Sequence, residues 1–410
     1  MANELFPGSM TVMYVNQETS YGATSTVRGA QTFRTISETL TPMEERDYRP
    51  DRTGKADHLA RFKGRKSAEW ELQCLLMTSG GVTVPPDVDY LMQNLFGHRS
   101  ENTTCLTYAQ ATANASSICI RRGIKVGGQA GQADFQEHIV GAIVNRGELA
   151  WGSQGNNGLA TVTFGGLGKY WGFTGNTSIA PASTLNTTSK AVTVANAKVL
   201  TPGSAFRIYM NNTAPNFNSS DPGIDTGGGK GIIVNTINYT TKRITYGQIL
   251  SRTHAGASAM MPYNPTETTA GTPIHARLGF LSINASKTRI DHLGGRITFE
   301  DNRTLLNEEV GYDSPSRVLR EDRRAVTFSL EFLLKKENMP DILGSMYAAS
   351  AHSIQVNVGS GTGETIRAKM INTQFDMAAV EIPDQGMLRC TLNGVALGTN
   401  GNDSLRLEYV

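Results

Sequence analysis

The feature that most constrains this chain is that it contains one pattern twice. Residues 37–173 and 300–398 carry the same order of strands, turns and charges. The segment from Lys66 to Leu76 overlays that from Arg324 to Leu334. A tyrosine precedes each, Tyr48 and Tyr312, with an acidic pair four residues upstream, Glu44-Glu45 and Glu308-Glu309. Pro86-Asp87 and Pro340-Asp341 follow. Glu137 to Asn145 then overlays Glu364 to Asn372, and Gly158 to Gly166 overlays Gly386 to Gly394. Four blocks in one order imply a duplicated domain, and two copies per chain let half as many chains close a ring.

The strand reading rests on period two. Ser67, Glu69, Glu71 and Gln73 alternate with Ala68, Trp70, Leu72 and Cys74; Ala325, Thr327, Ser329 and Glu331 alternate with Val326, Phe328, Leu330 and Phe332. One face of each strand is apolar and the other polar. A short helix is expected in each copy, over 85–97 with Gly97 as its stop and over 339–349. Between the first two strands of each copy a long charged loop is expected, 41–66 and 301–324. Such loops are uncommon unless they bind something. Their mixed charges and the interspersed apolar residues favour contacts with a neighbouring subunit.

Residues 174–275 change character. Thr, Ser, Asn, Gly and Pro dominate the flanks, which read as linkers, and short strands are expected around Val192, Phe206, Ile233 and Ile244. The expected class is therefore mainly β, with domain one over 1–173, an inserted small β-module over 174–275 and domain two over 276–410.

A net charge of +2 gives no bulk electrostatic case for wrapping nucleic acid. No apolar run approaches the roughly 18 residues of a membrane span, and the first residues do not read as a signal peptide. Cys74 and Cys390 fall on apolar strand faces and read as small core residues in a chain made in a reducing cytoplasm. The seven histidines show no pair at metal-ligand spacing. No nucleophile elbow or HExxH pattern is present. Thr226 to Gly231 lacks the glycine spacing and the Ser/Thr of a phosphate loop. The expectation is no enzyme, no cofactor and no metal.

The opening Asn16-Gln17-Glu18-Thr19-Ser20-Tyr21-Gly22-Ala23 resembles the start of many tail tube proteins of long, non-contractile-tailed bacteriophages. So does the run from a mixed-charge loop through the alternating strand Arg65 to Leu76 into a short helix. The resemblance covers both repeats. It implies two tandem tail-tube-like β-sandwich or barrel domains, each with one short helix, whose inner strands join those of neighbours into a barrel around a channel. It implies homotrimeric rings with pseudo-sixfold symmetry stacked into a tube in the virion tail, with tape-measure and tail terminator proteins as partners. Viral DNA would pass through without specific binding, and no membrane is involved. Some members carry their accessory module at the C-terminus, whereas here it lies between the repeats.

On that reading Glu69, Glu71, Gln73, Thr327, Ser329 and Glu331 line the channel, because acidic and neutral polar walls let a duplex slide. Glu44, Glu45, Tyr48, Phe62, Glu308, Glu309 and Tyr312 make contacts between rings. The alternatives are a distal tail or baseplate hub protein of the same fold, or a carbohydrate-binding β-protein using Tyr209, Tyr239, Tyr246 and Tyr263.

Overall fold

The structure, a computed structural model, describes residues 11–23, 25–28, 32–48, 61–77, 86–111, 116–124, 135–152, 158–185, 187–209, 224–226, 229–248, 250–251, 253–254, 256–265, 271–276, 279–284, 290, 292–307, 309–335, 339–348, 351–361, 364–376, 380–381 and 387–410. It is mainly β with two α-helices. The first repeat contains β1 (Thr11–Gln17), β2 (Thr32–Phe33), β3 (Thr35–Tyr48), β4 (Arg61–Leu75), helix α1 (Asp89–Phe96), β5 (Gly97–Glu101), β6 (Leu106–Gln110), β7 (Ile118–Ile124), β8 (Phe135–Gly152), β9 (Thr161–Gly168) and β10 (Tyr170–Gly175). The insert contains β11 (Thr177–Ser178), β12 (Ala191–Thr193), β13 (Ala205–Tyr209), β14 (Ile224–Asp225), β15 (Ile232–Asn238), β16 (Arg243–Tyr246) and β17 (Ala259–Pro262). The second repeat contains β18 (Gly279–Ile283), β19 (His292–Glu300), β20 (Arg303–Leu305), β21 (Val318–Arg320), β22 (Ala325–Leu333), helix α2 (Met339–Ala348), β23 (His352–Gly359), β24 (Thr365–Phe375), β25 (Val380–Glu381), β26 (Arg389–Leu397) and β27 (Arg406–Tyr409).

Each repeat folds as two sheets that share one strand. In the first, β1, β7, the N-terminal half of β8 and β10 form the outer sheet. The C-terminal half of β8 joins β9, β4 and β3 in the inner sheet. The second repeat copies this with β18, β23, β24 and β27 outside and β24, β26, β22 and β19 inside. Period-two patterning produces the layers: alternate residues of β4 and β22 enter the core while their neighbours face out.

One strand can serve two sheets only if it bends. On β8, pairing with β7 ends at Ala142 and pairing with β9 begins at Ile143. Gly141 sits at this bend with φ of +67°, which only glycine adopts freely. A Cβ there would lie 2.6 Å from Lys169 Cβ. The bend is gripped by Glu18, whose Oε1 accepts the Gly141 N–H at 2.8 Å, while its Oε2 accepts from Gly22 N–H and the Ser117 hydroxyl.

The two repeats are joined edge to edge. Residues Arg146 to Gly152 of β8 pair antiparallel with Glu300 to Gly294 of β19. The inner sheets thus fuse into one of eight strand segments, in the order β3, β4, β9, β8, β19, β22, β26, β24. Beneath it one apolar core spans both repeats, and Phe96 of α1 stacks on Phe299 of β19 with centroids 5.2 Å apart. A second joint is made by the β5–β6 hairpin of the first repeat, which pairs through β6 with the final strand β27.

Three details differ from the sequence expectations. The charged loop over 41–66 is largely strand: β3 runs to Tyr48 and β4 starts at Arg61, making one long hairpin arm. The arm of the second repeat over 301–324 contains the short hairpin β20–β21. The β5–β6 hairpin interrupts the expected step from helix to strand in the first repeat, and among the described residues nothing corresponds to it between α2 and β23.

The insert has its own core, including Val192, Phe206, Ile208, Ile232, Ile244 and Tyr246. Its edges are not free linkers. Thr174, at the end of β10, bridges to Leu200, and Pro273 and His275 bridge to Met77 and Leu159 of the first repeat. Val12, Tyr14 and Val27 pack against Ala205, Ile233 and Tyr263. Polar groups lock this contact: buried Arg121 donates to the carbonyls of Gly203 (2.8 Å) and Ser25 (3.1 Å), Gln136 donates to the Tyr263 carbonyl (3.0 Å), and His138 bonds the Pro202 carbonyl (3.0 Å).

Candidate functional site

Alternation along the eight-segment sheet puts one side chain in two on the face turned from the core. Glu69, Glu71, Gln73, Thr327, Ser329 and Glu331 all lie on that face, exposed or half-buried. Paired positions carry it across the chain: Glu71 is opposite Gly165, Arg146 opposite Gly165 and Glu300, and Glu300 opposite Ala325. The six residues expected at a channel wall therefore share one surface with Arg146, Glu148, Arg296, Glu300, Arg389 and Thr391, which sequence reasoning did not assign. Their signal is present in the sequence, since each alternates with a buried neighbour.

The face is polar but not simply acidic. Three arginines interrupt its glutamates, and each lies against one of them. Arg146 and Arg296 both reach Glu148, at 3.0 and 3.2 Å, and Arg389 reaches Glu331 at 3.5 Å. Such exposed pairs are worth about 0–1 kcal/mol each, yet they cancel charge locally. The face is also grooved. One groove of about 310 Å³ runs past Thr39, Glu69, Glu71 and Arg146. Another of about 580 Å³ runs past Trp151, Arg296, Glu331 and Arg389. Among the described residues no group of His, Cys, Asp and Glu is arranged to hold a metal ion.

The joint between the repeats is a second concentration of charge. Asp301, just past β19, is 1% exposed and receives three arginines: Arg303 at 2.5 Å, Arg324 at 2.6 Å and Arg320 at 2.9 Å. Arg303 is buried as well and donates to the carbonyls of Asn94 and Val144 in the first repeat, both at 2.7 Å. Burial draws its guanidinium down to about 10, with Asp301 opposing. Arg324 donates to the Ala111 carbonyl at 2.5 Å. Each arginine-to-carbonyl bond ties the second repeat to the first.

The arms carry the residues expected at ring contacts. Glu44 is bound by Arg46, and Glu45 is exposed. Tyr48 and Phe62 lie on strand backbone, with side chains outside the described residues, and Glu308 lies outside them altogether. Glu309 accepts from Arg317 at 2.6 Å; bonds from Ser316 and then Arg317 hold its carboxyl below the usual range. Tyr312 is 57% exposed and its neighbour Val310 96%. Within the chain the two arms meet, since Arg65 donates to the Glu309 carbonyl at 2.7 Å and the Lys66 N–H to the Asp313 carbonyl at 2.9 Å.

The tyrosines of the insert do not form a platform. Tyr209, Tyr246 and Tyr263 are buried, and only Tyr239 is exposed among the four. Cys74 and Cys390 are fully buried thiols in the core. Among the described residues no helix is long and apolar enough to cross a membrane. Glu18, quoted above for the opening motif, is buried and pushed up to about 7 by desolvation, against the three bonds it accepts. Comparison of the sequence with protein-family models gives no match, and comparison with curated proteins gives none.

Proposed function

We propose that the protein is a structural subunit that polymerises as stacked rings around a channel, in the manner of the tail tube of a long-tailed bacteriophage. The observation that carries this reading is the eight-segment sheet: two four-segment halves joined edge to edge, polar on one face and apolar on the other. Among the described residues the outermost edges, β3 and the last residues of β24 past Thr373, where its pairing with β23 ends, have no further strand partner. Open edges are aggregation liabilities that closure into a barrel removes. A head-to-tail joint whose rotation closes generates a ring. The polar face then lines the interior, and its paired glutamates and arginines offer phosphates no concentrated positive field. Three chains of two repeats each make a ring of pseudo-sixfold symmetry.

Negative-stain images of concentrated purified protein test the reading. Hollow filaments of uniform diameter are expected, with three chains per ring by native mass spectrometry. Isolated rings that never stack would favour the end-ring alternative, and a monomer at every concentration would sink both.

A further inference from the structure

The net positive charge of the chain lies in the insert. The whole sequence holds 38 Lys and Arg against 36 Asp and Glu; residues 174–275 take seven of the former and only three of the latter, which leaves 31 against 33 elsewhere. Such asymmetry between segments points to an anionic partner for the basic one. The charge is also gathered. Lys190, just before β12, accepts the Tyr246 N–H at 3.0 Å through its carbonyl, and Arg243 of β16 is opposite Thr193 of β12. Lys242, in the β15–β16 turn, accepts the Val194 N–H at 2.9 Å through its carbonyl. Lys198 lies in the short helical turn Ala197–Val199 that follows β12. Along the paired strands Lys190 and Arg243 are about 10 Å apart at ~3.3 Å per residue, roughly one screening length at ~0.1 M salt.

All four residues are exposed, and none has an ion-pair partner among the described residues. The two repeats treat their arginines differently: Arg46 lies against Glu44, Arg122 against Glu137, Arg317 against Glu309 and Arg389 against Glu331. Among the described strands of the insert the one acidic residue is Asp225, on β14, which pairs with β13 and not with β12 or β16. The basic edge is held in place as well. Asn238 Oδ1 accepts the N–H groups of Thr240 and Thr241 at 3.1 and 3.0 Å, which shapes the turn. The Tyr239 hydroxyl donates to the Leu200 carbonyl at 3.2 Å, and Leu200 bridges to Thr174 of the first repeat. Around the cations Asn196, Asn238, Thr240 and Thr241 are exposed, and the Tyr239 side chain is 51% exposed.

We propose that this edge of the insert binds a linear anionic polysaccharide, one with an acid group on successive sugar units. Lys190, Lys198, Lys242 and Arg243 take the acid groups. The amides and hydroxyls beside them exchange hydrogen bonds with sugar hydroxyls, and the Tyr239 ring offers an apolar face to a sugar ring. Nucleic acid fits this surface less well. Single strands stack successive bases on several aromatic side chains, and Tyr239 is the one exposed aromatic among the described residues of the insert. The site lies within one chain, so it does not depend on assembly into rings.

The test uses the full chain with polygalacturonate, a linear uronate polymer, and with neutral dextran and a DNA duplex beside it. By isothermal titration calorimetry the wild type should bind polygalacturonate, with affinity falling as salt rises, and should not bind dextran. The triple variant Lys198→Gln, Lys242→Gln and Arg243→Gln changes exposed residues only and should melt as the wild type does. It should bind the polymer roughly tenfold or more weakly, because each lost cation removes one released counterion. A wild type that binds no polygalacturonate, or a triple variant that binds it as well as the wild type, overturns the proposal. Duplex DNA bound through the same three residues at least as tightly overturns the choice of partner. Each outcome is read on the monomer and leaves the tube reading to its own experiment.

Discussion

His138 shows how much one buried ring controls. It sits on β8 with no exposed surface and bonds the Pro202 carbonyl of the insert through Nε2, while its Nδ1 is buried without a partner among the described residues. Burial, reinforced by the nearby Arg121 guanidinium, pulls its pKa from 6.5 down to about 3. A depressed folded-state pKa means that the unfolded chain takes up the proton first. The stability that His138 contributes is therefore full above pH 6.5 and falls as pH drops from there toward 3, by on the order of 1.4 kcal/mol per pH unit. His138→Gln, which keeps a donor for the carbonyl, should flatten that slope in thermal melts between pH 7 and 4. An unchanged slope would place the titrating group elsewhere. Asp301 is the other residue on which much depends. Asp301→Asn would leave the buried Arg303 and the nearly buried Arg324 without their carboxylate, with Arg320 half-buried beside them, and breaking such a network costs about 3–5 kcal/mol, readable as a lowered denaturant midpoint.

At the scale of elements, the joints make the second repeat dependent on the first. Its outer sheet is completed by β6, its inner sheet by β8, and its arginines end on first-repeat carbonyls. Residues 276–410 expressed alone should therefore be unfolded or aggregated by circular dichroism and light scattering, whereas the whole chain should unfold in one transition. An independently folded fragment would refute the dependence. These joints were hard to read from the sequence. β4 and β22 were legible because each is buried on one face, so the alternation of Trp70 with Glu69 and Glu71 is visible. Helix α1 was legible through Pro86 and Gly97, which ends it in the left-handed conformation with φ of 90°. β8 was legible only as a repeated block, Glu137 to Asn145, and not in its length or bend, because Ile139 to Val144 is buried on both faces and shows no period. The β5–β6 hairpin was missed because Gly97 to Glu101 is polar and its partner β27 lies at the other end of the chain. The docking of the insert was missed for a similar reason: Arg121, Gln136 and His138 read as scattered polar residues until the fold gathers them.

For the whole molecule, the polar face sets what the assembled protein can tolerate inside it. Replacing Glu69, Glu71 and Glu331 together with lysine leaves Arg146, Arg296 and Arg389 with fewer acidic neighbours on that face. Assembled variants should then retain duplex DNA in a gel-shift assay, with affinity falling steeply as salt rises, since each phosphate contact releases condensed counterions. Wild-type assemblies should release DNA at every salt concentration tested. Equal retention by both would mean that the face does not meet the duplex.

The length of β8 has a mechanical meaning. Its 18 residues form one unbroken backbone, about 60 Å of contour at ~3.3 Å per residue. One half holds the insert through Gln136 and His138; the other is clamped between β9 and β19. A force applied to the insert travels along this backbone into the midline of the molecule. There it loads ladders on both sides in shear, many bonds at once, instead of peeling them one at a time. The insert is thus a lever fixed to the strand that both repeats share.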